Sequence, residues 1–123
     1  MSLQRFIIEI GTGADLHGGD VTKAAQRAIK DAVSHSCLCG LFDITGIQNP
    51  NEMVIEVKIA CPFPEKLNQE EVLKAVPFGS TRLEVVLGGM TVRGLDLPEL
   101  GEGDTIVVAV AALTVYVNTK ADC

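Results

Sequence analysis

Two periods of hydrophobic and polar residues recur along the chain, and each predicts a different element. From Val21 to about His35, the residues Val21, Ala24, Ala25, Ala28, Ile29, Ala32 and Val33 fall on one stripe at three- and four-residue spacing. Thr22, Lys23, Gln26, Arg27, Lys30 and Asp31 take the opposite face. This is the pattern of an amphipathic helix. Its apolar stripe is mostly alanine, so the helix can lie close against a sheet. Asp20 precedes it, where a carboxylate accepts the unpaired amides of a first turn, and Gly40 is read as a stop after it.

The second period is two. Met53, Ile55, Val57 and Ile59 alternate with Glu56 and Lys58, which predicts a half-buried strand over Met53–Ala60, ended by Pro62 and Pro64. Arg5–Ile10 is short and β-branched and reads as a first strand stopped by glycine. Leu41–Ile47 reads as a short second strand, and Asn49-Pro50-Asn51 as a turn. Asn68–Val76 reads as a shorter helix, with Asn68 as cap and Glu70 and Glu71 in its first turn, where the helix dipole favours them. Thr81–Leu87 and Met90–Arg93 read as strand interrupted by a bulge or bend at Gly88-Gly89. Gly94–Asp104 is a loop carrying Asp96, Glu99, Glu102 and Asp104. Thr105–Val117 is a long strand, apolar on both faces and therefore central or at an interface. The order β-α-β-β-α-β-β predicts an α+β two-layer sandwich over one domain, residues 1–123, with one mixed sheet and two helices on one face.

That arrangement leaves one sheet face bare. Hydrophobic residues make up 47% of the chain and the mean hydropathy is +0.30, which is apolar for a small monomer. A homo-oligomer is expected to cover the excess. Sixteen acidic against ten basic residues give a formal charge of −6, with no Lys/Arg cluster, no Trp and one Tyr. Phosphate-rich partners need a basic surface, so nucleic acid and acidic membrane are not expected partners. The longest apolar run, Ile106–Val117, falls short of the ~20 residues of a membrane-spanning helix. No signal-like segment precedes the first strand. The chain reads as cytoplasmic, with Cys37, Cys39, Cys61 and Cys123 as free thiols.

The candidate chemistry sits between the first strand and the first helix. Gly11-Thr12-Gly13-Ala14-Asp15-Leu16-His17-Gly18-Gly19-Asp20 holds four glycines at a strand-to-helix junction, where free amides and the helix dipole suit an anion. The plainer alternative is a tight β–α connection capped by Asp20. Leucine at position 16 removes the dinucleotide-binding fingerprint, and no Gly-Lys-Ser/Thr follows for a phosphate loop. Asp15 and His17 are two residues apart, so in an extended segment both side chains point the same way. They read as an acid/base pair, the carboxylate orienting the imidazole. As metal ligands they would need a third, for which Glu9, Asp20 and Glu56 are the candidates. The structural alternative has Asp15 capping loop amides and His17 making a fixed hydrogen bond. Cys37-x-Cys39 lacks a second pair for a metal site, and His35 suits the C-terminal end of the helix.

Gly11-Thr12-Gly13-Ala14-Asp15-Leu16-His17-Gly18 resembles the Gly-x-Gly-x-Asp-x-His-Gly signature of a widely distributed family of conserved proteins of unknown function. Asp20–Ala25, Arg27-Ala28 through His35, Pro77-Phe78-Gly79 and Gly88-Gly89 extend the resemblance over most of the chain. It implies that Gly11, Gly13, Asp15, His17 and Gly18 form the family's defining site, and it brings no activity with it. Cys37 and Cys39 stand where small or turn-forming residues are expected.

The leading expectation is a small oligomeric protein that binds a small polar or anionic ligand at residues 11–20. In it Asp15 and His17 are the catalytic pair, and Gly11, Thr12, Gly13, Gly18, Gly19 and Asp20 are the ligand-binding frame. Whether a reaction follows, and with what cofactor, the sequence leaves open. The rival classes are a non-catalytic regulatory or assembly module and a metal-dependent hydrolase.

Overall fold

The computed structural model describes residues 2–95, 97, 99 and 103–119. Asp96, Glu102 and Cys123, named above from the sequence, lie outside them. The elements in chain order are β1 (Ser2–Asp15), α1 (Val21–Ser34), α2 (Cys39–Asp43), β2 (Val54–Cys61), α3 (Gln69–Leu73), β3 (Ser80–Leu87), β4 (Met90–Arg93) and β5 (Thr105–Thr119), with 3-10 turns at Pro50–Glu52 and Pro64–Lys66. The expected α+β class with a mixed sheet holds.

The order of elements departs from expectation at two places: Met90–Arg93 is a strand of its own, pairing with β5 while β3 pairs with β2, and the expected second strand does not form. Leu41–Ile47 lies not in a strand but across α2 and the turn after it. Only Leu41 of this stretch is buried, while Phe42 and Ile44 are exposed. The segment has one anchor rather than an alternating face, and it closes locally through the Ile44 and Thr45 amides donating to the Gly40 carbonyl. Gly40 therefore belongs to α2. The first helix ends without it, at the His35 amide donating to Ala32.

The sheet runs β1-β5-β2-β3, antiparallel except for β2–β3, and β4 extends the line of β2 along β5. The parallel β2–β3 pair needs a crossover, which residues 62–79 supply with α3. Central β5 sends Val107, Ala109, Ala111, Leu113, Val115 and Val117 to the helix side, all buried. The predicted β2 alternation appears as Ile55, Val57, Ile59 and Cys61 buried on that same side. Packed on this face, α1 covers β1 and β5, and α3 lies beside α1 and β3. Between α1 and α3, the Gln26 side chain donates to the Glu71 carbonyl and the Asn68 amide donates to Thr22 Oγ1. The core is one contiguous cluster between the layers.

Its thinnest part lies under α1. Gly11 and Gly13 on β1 pair with Ala111 and Ala109 on β5, and Ala24, Ala25, Ala28 and Ala32 descend on this small-residue floor, all but fully buried. A β-carbon on Gly11 would fall on the backbone of Ala28 and Ala32. One on Gly13 would fall on the backbone of Ala24 and Ala28. Helix and strand backbones touch here, which is what the alanine stripe makes room for.

Candidate functional site

Residues 11–20 are not one loop. Gly11–Asp15 is strand, paired with Val107–Ala111 of β5, and only residues 16–20 form the connection to α1. The correction has a physical cause. Gly11 and Gly13 look like loop glycines, but their helix partners are alanines 11–21 residues later in the chain, which local reading does not see. They are packing residues, not an amide cradle. Gly18 and Gly19 do turn the chain, with φ of 95° and 63°, a backbone region costly for other residues.

Strand alternation puts Glu9, Gly11, Gly13 and Asp15 on the stripe facing α1, with a carboxylate at each end of the glycines. Asp15 is 5% exposed. Its Oδ2 accepts the Asp20 amide at 2.8 Å, and its Oδ1 lies 3.4 Å from Arg27 Nη1. The side chain thus ties the start of the connection to its end. Asp20 then caps α1 as expected: its Oδ1 accepts the amides of Thr22 at 3.0 Å and Lys23 at 3.1 Å. The position at the helix N-terminus that an anion would fill is held by the protein's own carboxylate.

Two α1 side chains also close the free edge of β1. Asp31 Oδ2 accepts the Thr12 amide at 2.9 Å, and Arg27 Nη1 donates to the Ala14 carbonyl at 2.7 Å. Asp31 further stands 3.3 Å from Nε2 of His35, at the helix C-cap. An exposed strand edge invites pairing with another chain, and these bonds occupy it.

His17 is half-buried, and among the described residues its imidazole makes no hydrogen bond or ion pair. Asp15 does not hold it, since both carboxylate oxygens of Asp15 are engaged elsewhere. The proposed metal ligands do not converge either. Glu9 is six residues from Asp15, roughly 20 Å along the strand, and Glu56 lies on the opposite sheet face, in register with Thr114. Among the described residues no three His, Cys, Asp or Glu side chains are grouped to hold a metal ion. Cys37 and Cys39 are exposed and Cys61 is buried. No described helix is long and apolar enough to cross a membrane.

Sequence reasoning passed over Glu9 except as a metal candidate. It is buried beside α1's C-terminal end, accepts a hydrogen bond from Ser36 Oγ, and burial pushes its carboxyl pKa above the ordinary 4.5. The available signal was a glutamate inside an otherwise apolar β-branched strand.

No curated protein matches the chain. It resembles the crystal structure of an FtsZ-like protein of unknown function from Nostoc punctiforme PCC 73102, with 45% identity over 97% of this chain and 99% of that one, and a TM-score of 0.88. Residues 5–115 match the model of the family described as conserved hypothetical protein (Lin0512_fam). With the match reaching from the first half of β1 into the last strand, the chain belongs to this conserved family.

Proposed function

We propose that the protein binds a small polar ligand at the mouth of the β1–α1 connection, with His17 as the group that meets the ligand and exchanges a proton with it. One observation carries the reading. Of the three ionisable residues between Gly11 and Asp20, Asp15 and Asp20 are each committed to backbone amides, and His17 alone has no structural task among the described residues. An imidazole can accept and donate a proton in neutral water, and side chains presented by a loop on a rigid scaffold are where function concentrates. Asp15 acts here by holding the loop rather than by orienting the imidazole. Because Asp20 already fills the helix N-terminus, the geometry favours a neutral polar ligand over an anion.

The sequence holds two histidines, at opposite ends of α1, so NMR separates them. The imidazole signals are followed while a panel of small amides, alcohols and carboxylates is added. A compound that moves the His17 signal saturably and leaves His35 in place supports the reading. A panel that moves neither, or both alike, contradicts it.

A second reading, an assembly module, is favoured by the bare sheet face. Ile8 and Ile10 stand 51% and 62% exposed on β1, in register with Thr114 and Ala112 of β5, and Val108 and Val110 share that face further along β5. Lys58 pairs with Glu84 at 3.9 Å on the same face, next to Glu56 and Arg82. Two copies of such a face can present apolar rows and opposite charges to each other, which is why a homo-oligomer remains the expected assembly.

A further inference from the structure

A cavity of about 390 Å³ opens beside the C-terminal end of α1, far from His17. Its size sits at the small end of the roughly 300–1,000 Å³ range of small-molecule sites. Val33, Leu41, Ile55 and Leu113 line it, and the half-exposed rings of Phe42 and Phe78 complete its wall. Among these apolar groups stands one carboxylate, Glu9. Its Oε2 accepts from Ser36 Oγ, and its Oε1 takes no hydrogen bond among the described residues. Among the described residues no Lys, Arg or His lines it. A buried carboxylate without a cation is costly unless something else supplies the charge or the donors.

We propose that this cavity binds a small amphipathic amine, its apolar body against the aliphatic and aromatic wall and its protonated nitrogen donating to Glu9. The chemistry is complementary at both ends. The wall takes area out of water, and the ammonium meets a carboxylate oxygen that the described residues leave unbonded, in a charge-assisted hydrogen bond stronger than a neutral one. A carboxylate ligand is repelled by the same group.

Calorimetric titration of the whole protein with phenethylamine, 2-phenylethanol and phenylacetate tests this, since the three share a body and differ in the head. Phenethylamine is expected to bind saturably, the alcohol about tenfold or more weaker, and the acid not measurably. Glu9→Gln should lose about tenfold or more for the amine and leave the alcohol unchanged. An amine that binds no tighter than the alcohol, or equally well to Glu9→Gln, overturns the proposal, as does the absence of amine binding. Should Glu9→Gln not fold, Cys39→Trp supplies a second variant that fills the cavity from its exposed side. It is expected to abolish amine binding, and wild-type affinity in it overturns the assignment.

Discussion

At the scale of single residues, the β1–α1 junction divides its labour between packing, tying and capping. Gly13 is where strand and helix backbones meet, so Gly13→Ala should destabilise by about 1–3 kcal/mol or more through overpacking. Thr12→Ala, on the exposed side of the same strand, should shift the urea midpoint little. If the two behave alike, the close approach is not there. Asp20→Ala should cost about 0.5–2 kcal/mol by loss of the cap, and an unchanged melting curve would remove the capping role. Asp20 was legible in the sequence because capping is local chemistry, settled within three residues. Gly11 and Gly13 were not, because what makes them glycine lies a helix away. Asp15 was read as a loop residue free to act on a substrate. It is instead a buried strand residue with both oxygens in use, and only the long-range partner Arg27 and the returning Asp20 amide reveal this.

At the scale of elements, α1 and β2 were legible for the same reason: each carries its period over enough residues to fix which face is buried. Leu41–Ile47 was not, since one buried leucine in seven residues sets no period, and tertiary packing chose a short helix there. The extension of β1 to Asp15 was hidden by glycines that local reading takes as a stop. Glu9 gives the element-scale prediction. Its folded-state pKa is raised by burial above the ordinary 4.5. Below pH 4.5 the carboxyl is neutral in both states and costs nothing. As pH rises through the folded-state value, ionisation is easier in the unfolded chain and stability is lost. Glu9→Gln keeps an acceptor for Ser36 and removes the ionisation. It should therefore be more stable than the native protein at pH 7, and the gap should close towards pH 4. Denaturation midpoints measured at both pH values check this, and a variant no more stable at pH 7 would mean that the charge is not desolvated. The same substitution is expected to lose the amine, so stability gained and ligand lost would come from one group.

At the scale of the molecule, one sheet face is roofed by helices and, among the described residues, the other is bare. The two-layer class followed from the element pattern even though one element was misassigned and another proved to be two strands, because the helix-facing periods of α1, β2 and β5 already required a sheet covered on one side. Among the described residues no helix lies on the other side. If copies of the protein meet there, light scattering should give a multiple of 13.1 kDa at micromolar concentration, and Ile10→Asp should lower the mass while leaving the circular dichroism unchanged. A native monomer would remove the assembly reading and leave the apolar face unexplained by self-association. Neither outcome bears on the junction at the far end of β1, where the bonds of Asp15, Asp20, Arg27 and Asp31 are all made within the chain.

Urea denaturation of His17→Ala and Asp15→Ala, side by side, tests most directly whether the junction is built to present His17. Removing Asp15 strips the Asp20 amide of its acceptor and Arg27 of its ion-pair partner, so that variant should lose about 1–3 kcal/mol. Removing His17 takes away no bond among the described residues, so its stability should stay within about 0.5 kcal/mol of the native protein. A His17→Ala variant that is as unstable as Asp15→Ala would contradict the account, and would make the imidazole one more brace of the fold.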